Sequence, residues 1–398
     1  MNRLVIIGNG FDRAHDLPTD YKHFVNYLQD EYIGHITECL ERQTIKDHSL
    51  FYLTPAEAIQ KPDGYEEYKI ESTKAIERWS DLSGNVEVHY RFGKAGTTES
   101  SSYKAQVSFT NILLEYVFKN CHHSSWGGFE NDYKDILVHI VRRAPGELRG
   151  VDLSDYTVER LNENLGEIVV LFCEYLREKV GQPVFKPEVA SRLFTKGLSR
   201  WRINDGRVKK YGKITAIEKD REKESGIIEK FENILFLNFN YTATAELYLV
   251  KKNKWATLER YSGINKETVL GEESANGPET SIRYIHGDLA DGDPSSIIFG
   301  YGDELDDIQT VLETLNNEYL KHIKSVLYTR QPYYRELIDF ADLEKFDIVI
   351  YGHSCSNTDR TLLNTLFEHK NCVSIQPFLH DEHDTSIYTP VQNVFFDR

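Results

Sequence analysis

The sequence predicts an α/β fold, a mostly parallel sheet carrying a large helical insertion, and three observations support it. The chain opens on an apolar run, Leu4-Val5-Ile6-Ile7, that stops at Gly8-Asn9-Gly10 before a polar stretch suited to a helix. From Asn233 onward, short β-rich runs alternate with helical segments, the pattern of strands joined by helical crossovers. Between these parts, a stretch of about two hundred residues places apolar side chains mainly at three- and four-residue spacing.

In chain order, the first strand is followed by helices that include Asn111 to Lys119 and Val158 to Val180. Asp63 to Ser102 is polar and rich in Gly, Ser, Thr and Glu, and Asp205 to Lys230 is densely charged, so both read as surface segments. Later strands fall at Ile234 to Leu237, Ile282 to Ile285, Ile297-Ile298-Phe299, Phe346 to Tyr351 and Cys372 to Ile375. Helices are expected at Thr242 to Val250, at Ile308 to Leu343 with a break near Pro332, and at Thr358 to Glu368. A lone βα unit cannot bury both faces of its strand, so the first strand must join the later sheet. The resulting division is a Rossmann-like nucleotide-binding domain of residues 1–28 and 231–398, with 29–230 as an insertion for assembly or regulation.

Composition excludes several classes. The 398 residues carry a formal net charge of −16, which argues against a nucleic-acid partner. No apolar run approaches the roughly 18 residues that span a bilayer, and the start lacks a signal-peptide pattern, so a cytoplasmic protein away from membranes is expected. Cys39, Cys121, Cys173, Cys355 and Cys372 are scattered without a C-x-x-C pair, the distribution of buried apolar residues and not of a disulfide framework or zinc ribbon.

Four polar clusters follow expected strands, where an open α/β sheet offers its carboxyl edge to a ligand. They are Gly8-Asn9-Gly10-Phe11-Asp12, Asn238-Phe239-Asn240-Tyr241-Thr242, His286-Gly287-Asp288, and Gly352-His353-Ser354 with Thr358-Asp359. The first is not a full G-x-G-x-x-G, because Arg13 stands at the third glycine position; an ordinary hydride-transfer domain is disfavoured. Other groups read more blandly. His380-Asp381-Glu382-His383-Asp384 and Cys121-His122-His123 lack the partners that would close a metal site, so no metal is expected. Glu130 reads as a surface carboxylate in a first helical turn or else as an acid or ribose ligand reaching the cleft, and the Tyr-rich stretch Leu327 to Tyr334 as packing.

The segments IGNGFDRAHDLPTDYKHF, WGGFE from Trp126 to Glu130, LNFNYT, YIHGD and YGHSCSNTD together resemble the bacteriophage abortive-infection AbiH family over nearly the whole chain. Their order is also similar, more distantly, to the sirtuin-like domains of bacterial antiphage proteins. That second resemblance implies a sirtuin-like site in which NAD is a substrate and no resident cofactor is needed. Asn240 would order a water or the ribose, and His286 would act as a base on a ribose hydroxyl. Gly8 and Gly10 would admit the pyrophosphate, and Asp12 would bind a ribose hydroxyl or orient a side chain. Gly352 and Ser354 match the loop that contacts the adenosine ribose; Asp359 accepts a ribose hydrogen bond or caps the helix after it. Asn9, Phe11, Tyr241, Gly287 and His353 complete the binding set. Two departures stand out. The zinc-binding cysteine pairs of deacetylating sirtuins are absent, and Thr242 replaces their nicotinamide-contacting Asp, leaving that contact to Asn9, Asp12 or the insertion.

The resemblance implies an antiphage effector that hydrolyses NAD to ADP-ribose and nicotinamide, held off by homo-oligomerisation or a regulatory protein partner until infection. Two alternatives remain: a hydrolase of another nucleotide, and a non-catalytic module that binds a nucleotide or ADP-ribose and signals to a partner.

Overall fold

A computed structural model describes residues 2–43, 50–54, 65–77, 87–94, 100–120, 126–142, 146–186, 189, 193, 232–249, 279–290, 293–302 and 317–378. The chain divides into two compact units, Met1–Asp20 with Val169–Arg398, and Tyr21–Ile168.

The first unit is built on five parallel strands: β1 (Asn2–Ile7), β8 (Asn233–Asn238), β9 (Glu279–Tyr284), β10 (Phe346–Tyr351) and β11 (Cys372–Phe378). Their spatial order is β11-β10-β1-β8-β9, so the chain steps outward from β1 on one side and returns to build on the other. The sheet is α/β and parallel throughout, as the alternating pattern predicts. The topological switch point, where such sheets open a crevice, lies between β1 and β10.

Both faces of β1 are covered, which explains its unbroken apolar run. Leu4 and Ile6 pack with Leu337, Leu362 and Leu366, from α7 (Pro332–Leu343) and α8 (Arg360–Phe367). Val5 and Ile7 face the other way, onto Phe11 of α1 (Asn9–Arg13), Ala245 and Tyr248. The strand starts earlier than its apolar run. Arg3 is fully buried within it, donating to both Asp347 carboxylate oxygens on β10 and to the Leu193 carbonyl, so a charge that reads as a polar lead is a paired core residue.

Two later expectations change. Ile297-Ile298-Phe299 is buried but forms no strand; it leaves a 310 turn at Pro294–Ser296, and the Ile298 amide donates to the His286 carbonyl. A three-residue apolar run cannot distinguish a strand from a packed loop. The expected helix at Thr242 to Val250 is a 310 segment, Ala243–Tyr248. The break near Pro332 is present: α6 (Lys324–Arg330) ends, Gln331 is extended, and Pro332 occupies the first turn of α7.

The second unit carries an antiparallel sheet among its helices, which the sequence reading does not anticipate. Between α2 (Tyr21–Arg42) and α3 (Ile112–Lys119) lie β2 (Phe51–Thr54), β3 (Tyr65–Ser72), β4 (Val88–Lys94) and β5 (Ser100–Phe109), an antiparallel sheet in the order β2-β5-β4-β3. The stretch Asp63 to Ser102 therefore contributes strands, not only surface loop. Its alternation is plain on β4, where Val88, Tyr90 and Phe92 are buried between the outward His89 and Arg91. Overall polarity concealed that period of two.

Around the sheet stand α3, with Asn111 capping it through Leu114 N, then α4 (Trp126–Val141) and the hairpin β6 (Glu147–Leu148) and β7 (Val151–Asp152). The helix α5 (Val158–Glu178) runs out of this unit at Ile168. Glu130, expected at the surface, is buried on α4. Among the described residues no helix is long and apolar enough to cross a membrane.

Candidate functional site

Strand register assembles the site. Ile7 pairs with Asn238 on one side and Tyr351 on the other, and Asn238 pairs with Tyr284, so all four strands finish level. The next residues, Gly8, Phe239, Ile285 and Gly352, begin the loops at one carboxyl edge.

At the switch point the loops after β1 and β10 are pressed together. A Cβ on Gly8 would stand 2.5 Å from His353 Cα, and one on Gly10 would stand 2.7 Å from Gly352 Cα. Real side chains do not approach so closely, so these glycines permit two backbones to touch. The amides follow the same logic. Gly8 N donates to Tyr351 O, Gly10 N to Gly352 O and Phe11 N to Gly8 O. Within the protein, then, three amides of the expected phosphate cradle have acceptors. Phe11 is fully buried, its ring 5.1 Å from Tyr351 and 4.8 Å from His15, and it faces the core.

One polar pocket forms around Asp12. Its Oδ2 accepts from the Thr242 hydroxyl at 2.7 Å, while Oδ1 is buried with no hydrogen-bond donor in bonding geometry. Asn240 reaches across from the loop after β8, donating from Nδ2 to Gly8 O at 3.0 Å, and its own amide donates to Asn238 Oδ1. Asn9 accepts from Thr19. Burial pushes the Asp12 carboxyl up to about 6, against the lowering effect of Thr242, Thr244, Asn240 and Thr19 around it.

This has a measurable consequence. A carboxyl whose pKa rises from 3.8 to about 6 on folding adds stability below pH 3.8 that is lost as pH climbs through about 6. Asp12→Asn removes that loss. Its stability relative to wild type should rise across this window by at most about 3 kcal/mol and level off above it, in urea unfolding at a series of pH values. A difference independent of pH would contradict the burial of this carboxyl.

The second pocket centres on Asp359. Two donors converge on its Oδ1, Tyr328 OH at 2.8 Å and Lys324 Nζ at 3.0 Å, and His286 Nε2 lies 3.3 Å from it. Tyr328 OH is also 2.7 Å from His286 Nε2, and His353 Nε2 lies 3.7 Å from Oδ2. All five side chains are almost wholly buried. Burial alone would raise the Asp359 carboxyl, but the Lys324 ammonium and the two imidazoles more than offset it and hold Asp359 well below the usual carboxylate range. His286 is pushed below its ordinary value by burial and then by Lys324; His353 is pushed down to about 4, chiefly by burial. Both imidazoles are therefore neutral at physiological pH. The Cys355 amide donates to His353 Nδ1, and His286 makes a backbone hydrogen bond with Phe239.

The two pockets share a wall. The Phe239 ring stands 5.0 Å from His286 and 4.1 Å from His353, and Gly8 touches both Asn240 and the His353 backbone. Tyr241 donates to Ile298 O, Gly287 turns the chain at φ +86°, and Ser354 is exposed. Asp359 stands at the N-cap of α8, but its side chain makes no capping bond and points to Lys324. Of the two roles open to it in the sequence, capping is not the one it takes.

Sequence reasoning missed Lys324 and Tyr328. They are four apart on α6, hence on one helical face, but their partner is distant in sequence and the stretch reads as packing. Cys121-His122-His123, His380 to Asp384 and Asp205 to Lys230 lie outside the described residues. Among the described residues, no three His, Cys, Asp or Glu side chains group to hold a metal ion.

Residues 4–381 match the sequence model of a family described as "Bacteriophage abortive infection AbiH". No curated protein and no solved structure matches the chain.

Proposed function

The chain belongs to the bacteriophage abortive infection AbiH family, and on that premise we propose that its carboxyl-edge cleft is a sirtuin-like, Rossmann-like site that hydrolyses NAD to ADP-ribose and nicotinamide. The observation carrying this reading is that Asn240 and His286 leave adjacent strands at the same edge, beside Gly8 and His353 at the switch point.

The chemistry suits these residues. Water oxygen bonds to the anomeric carbon of the nicotinamide ribose, and the C–N electron pair departs with the pyridine ring, which leaves neutral. The water's proton must go to a base, and a neutral imidazole is one. A ribose hydroxyl would replace Tyr328 as the partner of His286 Nε2, while Asn240 would present its amide to the ribose or the water. Positive charge that develops on the sugar would be stabilised by a desolvated carboxylate nearby.

Depleting NAD is toxic, so the activity must await infection. Residues 29–230 are proposed to provide that control through self-assembly or a regulatory protein partner, in the cytoplasm where NAD is available. In phage-infected cells, NAD should collapse with the wild-type protein and hold steady with Asn240→Ala or His286→Ala. Cells that arrest with NAD intact would contradict the proposal.

The alternative keeps the same edge loops and drops the cleavage. In that case the cleft binds a nucleotide or ADP-ribose without cleaving it, and signals to a partner. Unaltered ADP-ribose retained by the purified protein, with NAD stable, would select it.

A further inference from the structure

The Asp359 pocket contains one charge that NAD hydrolysis does not explain. Lys324 is 2 % exposed, and its ammonium sits 3.0 Å from the same carboxylate oxygen that His286 approaches at 3.3 Å. A buried carboxylate beside an imidazole normally recruits a proton onto the ring and makes an ion pair. Here a lysine side chain competes for that carboxylate. We infer that Lys324 is a positioning residue: by taking Asp359 as its counter-ion it leaves His286 neutral and so able to accept a hydroxyl proton.

Among the described residues, the titratable groups facing His286 come from four elements. Lys324 and Tyr328 come from α6, Asp359 from the turn before α8, His353 from the loop after β10, and Tyr241 from the loop after β8. Tyr328 OH donates to the Asp359 oxygen at 2.8 Å and lies 2.7 Å from His286 Nε2. His286 also makes a backbone hydrogen bond with Phe239. Burial lowers the His286 basicity, and Lys324 lowers it further, in the direction the geometry requires.

The inference rests on the proposed role of His286 as a base, but its test does not need turnover. Imidazole 15N spectra of the full labelled chain, with His286 assigned by its missing signal in His286→Gln, report tautomer and titration directly. Wild type should show a neutral ring titrating below the ordinary histidine value near 6.5. In Lys324→Met the midpoint should move upward as Asp359 turns to His286; Lys324→Arg should restore the low midpoint, and Tyr328→Phe should leave it low. Wild-type His286 titrating at or above the ordinary value, or a midpoint unmoved in Lys324→Met, would overturn the inference. Should Lys324→Met fail to fold, the wild-type spectrum and Lys324→Arg decide the matter. If NAD hydrolysis is present, its acid limb should shift upward in Lys324→Met. If it is absent, the NAD reading fails and the titration still judges Lys324.

Discussion

Asp359→Asn is expected to destabilise the protein by about 3–5 kcal/mol, the cost of removing one partner from a buried ion pair. The carboxylate receives Lys324 and Tyr328 on one oxygen with His286 beside it, and a neutral amide cannot balance an ammonium buried this deeply. The pH dependence carries a sign. A carboxyl depressed on folding contributes stability that is present above its unfolded value of 3.8 and fades as pH falls through the lower folded value. The gap between wild type and Asp359→Asn should therefore be flat through neutral and mildly acid pH and narrow only in strong acid. Combining Asp359→Asn with Lys324→Met should recover much of the loss, because the charge and its counter-charge leave together. Urea unfolding of the four proteins measures the cycle. A single-variant cost below about 1 kcal/mol would show that the pair is not buried as described.

Gly352→Ala should cost about 2–5 kcal/mol, from two separate causes. The residue sits at φ +70°, where a Cβ costs roughly 1–2 kcal/mol. That Cβ would also meet Phe11 N and the Gly10 backbone, an overpacking of about 1–3 kcal/mol. Gly34, exposed on α2 with nothing within 4 Å, supplies the contrast: Gly34→Ala should stabilise by roughly 0.5–1 kcal/mol through helix propensity. If the two alanines behave alike in thermal unfolding, the loops after β1 and β10 do not touch at the switch point.

How much of this was legible in the sequence depends on where each signal lay. The parallel strands announce themselves because both faces are buried, leaving unbroken runs such as Leu4 to Ile7 and Ile348 to Tyr351. Their polar exits at Gly8, Asn240, His286 and Gly352 were legible for the same reason, since the change from apolar to polar marks the carboxyl edge. Local composition failed where tertiary packing decides. Ile297 to Phe299 has strand composition but is buried beneath a loop, and β4 alternates correctly inside a segment whose polarity suggests surface. Lys324 and Tyr328 were hidden because a lysine on a helix ordinarily faces solvent, and only the fold brings Asp359 to it. Asp359 itself occupies a capping position and yet turns inward, a choice made by a partner more than thirty residues away.

The central claim is that the carboxyl-edge cleft breaks the nicotinamide bond of NAD. The most direct measurement is nicotinamide release by the purified full chain incubated with NAD and an extract of phage-infected cells. Release by wild type, reduced at least about 100-fold in both Asn240→Ala and His286→Ala while both variants unfold as wild type does, is the predicted result. Equal release by the variants, or none from wild type while nucleotide stays bound and intact, would contradict it.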